Sequence, residues 1–343
     1  MDNRHADFYA LASTWYQRCN ISPDETVLIA ADSGTDQRAV DAFFSVASSM
    51  GAEAVIAMCQ RRGQPFTDVP QVVEEAMLEA DFIHQLTTWP WSYSESRARV
   101  IRKIQTTGEG RMTWYGGKLE HLRTPPDERV IERTKRVTQL LNDAKEIKIT
   151  SDLGTDLSFK RGDPEKYPVL RHGGDCDSPG RIGSLAGGIA YMGEETSANG
   201  VLYVNGAQEA YDQFGSISQM LDEPVKLEIE KGYIVNIDVG NRDGKRLDDW
   251  FRSFNDPEMY MFIHTNIGLD HRAALRARPG GVTYSHSAWG CIITAFGMNY
   301  NPLFGMSHKA PAHLDLMTTG VNYVIDGTQV LRDGVPTDEA GLA

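Results

Sequence analysis

The stretch VLIAADSGTDQRAVDAFFSVASSMGAEAVIAMC, residues 27–59, decides the class of the fold. Its first residues form an apolar run typical of a buried strand, and AEAVIAMC at its end is a second run of the same kind. Between them, Thr35 and Asp36 can cap a helix whose apolar residues recur at helical spacing and which ends at Gly51. Strand, helix and strand in this order predict a layered α/β domain.

The same alternation of apolar and amphipathic runs continues to about residue 150. Further elements are predicted as helices at 72–78, 94–104 and 126–144 and as strands at 80–86, 111–116 and 146–151. Beyond this point the chain changes to short strands and glycine turns. We therefore predict an α/β N-terminal domain at 1–150 and a β-rich α+β domain at 151–343, which holds the metal and the catalytic site.

The clearest element of the second half is VKLEIEKGYIVNIDVG, residues 225–240. Strict alternation on both sides of Lys231-Gly232 predicts a hairpin with a two-residue turn. A short amphipathic helix is predicted at RLDDWFRSFND, and HLDLM, NYVIDG and TQVLRDG are predicted as strands. Glycine-rich GSLAGGIAYMG, residues 183–193, does not lead from a strand into a helix as a dinucleotide fingerprint does, so we predict a β-turn region that lines a site.

Composition excludes several classes of partner. The formal net charge of −13 and the pI of about 5.2 disfavour binding to nucleic acid or to an anionic membrane. Four cysteines without CxxC spacing argue against a zinc knuckle and against a disulfide framework. The N-terminus has no apolar signal-peptide core, and no later window approaches 18 uninterrupted apolar residues. We expect a cytoplasmic protein without a membrane span.

Two histidines and one aspartate are candidate metal ligands. His313 and Asp315 in HLDLM lie two positions apart, so a strand places both on one face. Such a pair also arises by chance, as at His5 and Asp7. His264, in the apolar run MFIHTNIGL, is by itself more typical of a hydrogen-bonded core residue. Together the three match the ligand set of non-haem Fe(II) enzymes, which leaves positions for substrate and O2, although zinc with a bound water could use the same ligands for hydrolysis.

Other residues can serve such a site or have ordinary structural roles. His286 and His308 can transfer protons or bind substrate, and each can equally be a solvated or capping histidine. TTWPWSY, residues 87–93, follows a predicted strand, where ligands of α/β domains commonly bind. Its Trp89 and Trp91 can flank a flat ring or pack in the core.

The second half of the chain resembles the 2,5-dihydroxypyridine 5,6-dioxygenases of bacterial nicotinate degradation, which are related to the aminopeptidase T metallopeptidases. The likeness runs from LEIEKGYIVNI through RSFNDPEMYMFIHTNIGL to AHLDL, and it is extended by GTDLSF at 154–159, SPGR at 178–181 and ETSANGVLYV at 195–204. In that family a His in the strand after the FNDPE helix and both ends of an H-L-D motif hold the iron. The resemblance therefore implies Fe(II) bound by His264, His313 and Asp315.

The resemblance also separates the two branches of this superfamily. The peptidases carry a metal-binding Glu in a PGE motif before the SANG segment, where this chain has Gly187-Gly188-Ile189. One ligand of a two-metal hydrolytic site is thus missing, which favours a mononuclear oxygenase. The chain departs from the dioxygenase as well: the His that the family uses as acid/base aligns approximately with Trp91 or Ser92, and a second His expected just after PGR is Ser184.

The resulting hypothesis is an Fe(II)-dependent, extradiol-type dioxygenase, forming a homo-oligomer, that cleaves a hydroxypyridine or related aromatic ring with O2. The candidates for proton transfer are Tyr93, His286 and His308, and those for substrate contact are Trp91, Arg181 and Ser184. An aminopeptidase-like hydrolase that uses a metal-bound water is the leading alternative. A binding or scaffold protein that has kept the fold without catalysis is the third.

Overall fold

The computed structural model describes residues 4–62, 67–88, 91, 93–116, 126–184, 187–212, 215–278, 281–283, 286–301 and 305–342. The chain forms two compact units, and each is described by itself. The first comprises Met1–Asp127 and His172–Leu185, and the second comprises Glu128–Arg171 and Ala186–Ala343. The compact units differ from the division predicted near residue 150: the helix Glu128–Asn142 and the strand Glu146–Thr150 belong to the second unit. The domain boundary at residue 150 stays a prediction.

The first unit is built on one five-stranded parallel sheet with helices. Its elements are α1 Arg4–Arg18, β1 Thr26–Asp32, α2 Gln37–Ser49, β2 Glu53–Cys59, α3 Gln71–Glu79, β3 Phe82–Thr87, α4 Glu95–Thr107, β4 Arg111–Gly116 and β8 Ile182–Ser184. The strand order is β2, β1, β3, β4, β8, and each neighbouring pair is parallel. The α/β class predicted from residues 27–59 is confirmed.

Local sequence explains where α2 begins and ends. The carboxylate of Asp36 accepts a hydrogen bond of 3.0 Å from the backbone N–H of Arg38, which caps the first turn. After the last turn Gly51 has φ +90°, a left-handed conformation that glycine adopts without steric cost. On the inner face, Phe43 packs edge-on against Trp15 of α1, with ring centroids 5.9 Å apart. The predicted strand-helix-strand unit is therefore present with its cap in place.

The second unit contains two large antiparallel sheets. Its first elements are α5 Glu128–Asn142, β5 Glu146–Thr150, β6 Asp156–Lys160, β7 Val169–His172, β9 Gly188–Tyr191, β10 Asn199–Val204, β11 Ala207–Asp212, β12 Gly215–Met220, β13 Val225–Glu230 and β14 Tyr233–Ile237. They are followed by α6 Arg242–Ser253, a 3-10 helix at Pro257–Tyr260, β15 Phe262–Gly268, β16 Arg276–Arg278, β17 Gly281–Thr283, β18 Ile292–Asn301, β19 Met306–Thr318, β20 Asn322–Ile325, β21 Thr328–Arg332 and β22 Val335–Pro336.

The order of strands within these sheets positions the candidate ligands. One sheet has the order β14, β13, β10, β6, β5, β20, β21, β22, and the other has the order β12, β11, β19, β18, β15, β9, β7. Apolar side chains from both sheets form one core cluster, which includes Leu202, Leu227, Phe262 and Phe296. The strand β15 lies inside the second sheet, and all seven of its residues are buried. A histidine on this strand is therefore withdrawn from solvent.

Several sequence predictions are confirmed or corrected in this unit. The hairpin of β13 and β14 turns at Lys231 and Gly232, whose φ values of +49° and +79° suit the tight turn that the alternation predicts. The helix predicted from Arg246 begins earlier, because Asn241 caps it by accepting from the backbone N–H of Gly244. The prediction of a β-turn region at 183–193 is wrong: its described residues lie mostly in β8 and β9. Among described residues, no helix has the length and apolar composition needed to cross a membrane.

Candidate metal centre

Three neighbouring strands bring the predicted ligands together. In the register of β15, β18 and β19, His264 lies opposite Ala295, and Ala295 lies opposite Asp315. Residues directly opposite each other project from the same face, while β15 and β19 are about 10 Å apart because one strand lies between them. The methyl side chain of Ala295 leaves space above the middle strand. His264 and Asp315 can therefore meet across it.

The next position on the same face of β18 is Gly297, which lies opposite His313. Its φ is +87°, and a Cβ atom placed there would lie 2.4 Å from the carbonyl oxygen of Ala312. The pairing register shifts beside it, between Gly297 and Asn299. The middle strand thus requires glycine beside one ligand and has alanine between the other two.

The ligand atoms converge in a buried position. His264 Nε2 lies 3.4 Å from His313 Nε2 and 3.5 Å from Asp315 Oδ1, and His313 Nε2 lies 3.2 Å from the same oxygen. The side chains of the three residues are at most 5% exposed. Three ligands about 2.1 Å from a metal ion are separated by roughly 3.0–3.4 Å at octahedral or tetrahedral angles. The spacing of the three atoms fits one ion.

The protonation of the three residues also suits a cation. His313 Nδ1 lies 2.7 Å from the carbonyl oxygen of Met298, which can only accept, so Nδ1 carries a proton and Nε2 is the ring nitrogen that can bind a metal ion. Burial lowers the pKa of His264 to about 3, against a raising effect of Asp315, and keeps its imidazole neutral. Burial alone would raise the pKa of Asp315, but His313 and His264 outweigh it and hold the pKa below its ordinary value. Two imidazoles and one carboxylate are the ligand set that Fe(II) or zinc accepts.

A further carboxylate, which sequence reasoning missed, lies beside this group. Glu209 on β11 is opposite Asp315 on β19 and is 8% exposed. Ser218 donates a hydrogen bond of 2.9 Å to Glu209 Oε1. The next residue on the same face, Tyr211, lies opposite His313, and burial, with Glu209 and Asp315, raises the pKa of its phenol well above the ordinary value. The sequence AQEAYD carries no motif that would have singled out either residue.

His286 joins the same cluster from outside the sheet strands. Its Nε2 lies 3.8 Å from Asp315 Oδ2, and ligand atoms of His286, Glu209 and Asp315 lie within 4.8 Å of one another. The amide nitrogen of Asn266 donates to His286 Nδ1 at 2.7 Å. In a neutral His286 the remaining ring proton is therefore on Nε2, where it faces the carboxylates.

The other predicted residues lie elsewhere. His308, in the second unit, forms a 2.9 Å hydrogen bond from Nε2 to the carbonyl oxygen of Glu258, which gives this ring a structural role. Four of them belong to the first unit: Trp91, Tyr93, Arg181 and Ser184. Trp89 and Ser92 lie outside the described residues.

The first unit includes His172, the last residue of β7, and there Ser184 has a partner that the sequence did not suggest. Ser184 Oγ and His172 Nδ1 are joined by a hydrogen bond of 2.8 Å, and both residues are buried. Arg181 forms an ion pair of 3.6 Å with Asp175. Trp91 is 1% exposed, and its carbonyl oxygen accepts from the hydroxyl of Ser94. Where the resemblance leads one to expect a histidine, this chain has Ser184, and His172 is hydrogen-bonded to it.

Comparison with known proteins gives one consistent result. A family model described as 2,5-dihydroxypyridine 5,6-dioxygenase matches residues 7–338. A curated protein of that name from Pseudomonas putida is 29% identical over 216 residues, which are 61% of this chain and 59% of that protein. A solved structure of a 2,5-dihydroxypyridine dioxygenase from P. putida matches with a TM-score of 0.83 at 22% identity, covering 98% of this chain and 99% of the other. AmpT from Thermus thermophilus matches with a TM-score of 0.60 at 13% identity, covering 97% and 99%. The two structural matches show a shared fold.

Proposed function

Because the chain belongs to the 2,5-dihydroxypyridine 5,6-dioxygenase family, we propose that it is an Fe(II)-dependent, extradiol-type dioxygenase. Its substrate is a hydroxylated pyridine or a related N-heterocyclic or phenolic ring, which it opens with O2. The observation that carries the proposal is the buried convergence of His264, His313 and Asp315, whose ligand atoms lie 3.2–3.5 Å apart.

A ferrous ion held by these residues would supply a Lewis-acidic, redox-active centre with open positions for a ring hydroxyl group and for O2. Of the three ligands only Asp315 is anionic, because a histidine that binds an ion through the lone pair of its Nε2 is neutral. Two neutral ligands and one anion leave a divalent ion with a net positive charge. Such a site favours a substrate oxygen that has lost its proton.

Proton transfer is assigned to His286. The hydrogen bond from Asn266 fixes its Nδ1 as an acceptor, so its Nε2–H is available beside Asp315 and Glu209. His308 is less suited, since its Nε2 already bonds the carbonyl oxygen of Glu258. Tyr93 is retained as a further proton-transfer residue. Substrate contact is assigned to Trp91, an aromatic residue shortly after β3, and, on the resemblance, to Arg181 and Ser184.

Gly188 supports a single metal over the two-metal hydrolase. This residue lies in the segment Gly187-Gly188-Ile189, which the resemblance sets against the metal-binding PGE motif of the peptidase branch. A Cβ atom at Gly188 would lie 2.3 Å from the carbonyl oxygen of His286 and 2.9 Å from that of Ile267. The backbone around β9 would have to move before any side chain could be placed at Gly188, so this position does not offer a further metal ligand.

Anaerobic reconstitution with Fe(II), followed by oxygen uptake on a panel of hydroxypyridines and phenols, tests the proposal. We expect about one iron per chain and oxygen uptake with at least one ring. The variants His313→Ala and Asp315→Asn should lose both the bound iron and the oxygen uptake, whereas the control His308→Gln should keep the iron. An iron-loaded enzyme that consumes no O2 with any ring would overturn the proposal. Two divalent ions per chain with peptide hydrolysis would establish the alternative.

The proposal includes a homo-oligomer in the cytoplasm. All four cysteines are free and buried, which is compatible with a reducing compartment. Size-exclusion chromatography with light scattering measures the number of subunits, and fractionation of the source cells tests the location.

A further inference from the structure

Arg97 of α4 is a buried cation with unused donors. Its side chain is 1% exposed, and its Nε donates to Gln85 Oε1 at 3.2 Å. Both terminal nitrogens, Nη1 and Nη2, are buried and have no hydrogen-bond partner among the described residues. Burial lowers the pKa of Arg97 to about 10, with an opposing effect of Tyr93, so the guanidinium is charged at neutral pH.

A buried arginine with only a structural role looks different in this chain. Arg161, in the second unit, is equally buried, and its guanidinium donates to three carbonyl oxygens, those of Leu141, Met192 and Tyr167. Arg97 has the face of Trp114, 4.5 Å from its guanidinium carbon, and one amide oxygen. A cation over an aromatic ring recovers part of the cost of desolvation but leaves the Nη donors unsatisfied. Arg97 therefore needs a further acceptor.

The surroundings of Arg97 have the placement of a ligand site. Gln85, Trp114 and Ser184 are consecutive register partners on β3, β4 and β8, near the carboxyl ends of these parallel strands. Ligands of parallel α/β sheets bind beyond these ends. His172 is bonded to Ser184 and lies edge-on to Trp114, with ring centroids 5.3 Å apart. These five residues are called the Arg97 cluster.

We propose that the Arg97 cluster binds the carboxylate of a small aromatic acid. Two adjacent Nη donors match the two oxygens of a carboxylate in a bidentate pair. The half-buried Trp114 offers an apolar wall for a flat ring, and Ser184 and His172, which are hydrogen-bonded to each other, lie beside it. A single arginine balances the single charge of a carboxylate. The site lies within the first unit and shares Ser184 with the substrate contacts proposed above. Binding there is measured without iron turnover or O2.

Isothermal titration of the full-length protein with benzoate and pyridine-3-carboxylate tests this proposal, with benzamide as the uncharged match and inorganic phosphate as the rival anion. We expect both carboxylates to bind, and benzamide to bind roughly ten- to a hundredfold more weakly, because it lacks the charge-assisted pair. Arg97→Gln should weaken carboxylate binding by a similar factor. Arg97→Lys, which keeps the charge but loses the fork, should weaken it less. Arg102→Gln, an exposed residue of the same helix, is the matched control and should bind as the wild type does.

Thermal unfolding separates binding from a structural role. Benzoate should raise the unfolding temperature of the wild type and of Arg102→Gln but not that of Arg97→Gln. If Arg97→Gln does not fold, the comparison of Arg97→Lys with Arg102→Gln replaces it. The proposal is overturned if neither carboxylate binds the wild type, if the Arg97 variants bind as tightly as the wild type, or if phosphate binds as tightly as benzoate in an Arg97-dependent manner.

Discussion

Acidification should destabilise the first unit through His84, a core residue of β3. This imidazole is fully buried among aromatic rings, with centroids 4.2 Å from Phe43 and 4.8 Å from Trp15. Neither ring nitrogen has a hydrogen-bond partner among the described residues. Burial lowers the pKa of His84 from 6.5 to about 3, because nothing compensates the charged form.

The direction and the size of this destabilisation follow from the pKa values of His84 in the unfolded and in the folded chain. The unfolded chain binds a proton at His84 near pH 6.5, and the folded chain binds it only near pH 3. The neutral His84 therefore costs no stability above pH 6.5, and the free energy of unfolding falls as the pH decreases from 6.5 to 3. At pH 5 the free energy of unfolding is about 2 kcal/mol lower, since each pH unit below 6.5 costs about 1.4 kcal/mol. The full loss, near pH 3, is on the order of 4–5 kcal/mol. It is a large share of the stability of an ordinary domain.

Denaturant unfolding at pH 7.5 and pH 5, followed by tryptophan fluorescence, measures this loss in the wild type and in His84→Leu. The variant should lose about 2 kcal/mol less than the wild type between the two pH values. Phe43→Leu is the matched control: it removes aromatic packing beside His84 but keeps the imidazole, so it should retain the pH dependence of the wild type. Equal losses in the wild type and in His84→Leu would refute the reasoning.

Three further substitutions test other parts of the structure. Ala295→Leu should abolish iron binding, measured by metal analysis, because the larger side chain fills the space between His264 and Asp315; unchanged iron content would contradict this account of the middle strand. Glu209→Gln should keep about one iron per chain, since Glu209 is not among the three ligands, and loss of iron would make it a ligand. Asp36→Ala should lower the free energy of unfolding by about 0.5–2 kcal/mol through loss of the α2 cap, measured by denaturant titration.

Local patterns were sufficient for much of the fold. The apolar runs and the Asp36 cap predicted the strand-helix-strand unit, and the alternation around Lys231-Gly232 predicted the hairpin, because both depend on neighbours in the chain. The helix α1 was not predicted. The extent of α6 was misjudged because the cap, Asn241, precedes by five residues the point, Arg246, at which the amphipathic pattern becomes clear.

The candidate metal centre was less accessible from sequence. The spacing of His313 and Asp315 placed them on one face, but the approach of His264 depends on a strand, β18, that lies between β15 and β19. Glu209 faces Asp315 only because two strands about a hundred residues apart in the chain are paired. Such pairings are set by tertiary packing, and neither residue type nor spacing specifies them.

The strand order of the parallel sheet affects how the first unit folds during translation and which fragments of the chain can contain it. Its last strand, β8, is formed by residues 182–184, which follow α5, β5, β6 and β7 in the chain. During translation the sheet therefore remains one strand short until the ribosome has passed these residues, and β4 has an unpaired edge in that interval. A fragment ending near residue 150 would keep that edge permanently. A recombinant version of this unit would need residues 172–185 joined back to it by a linker.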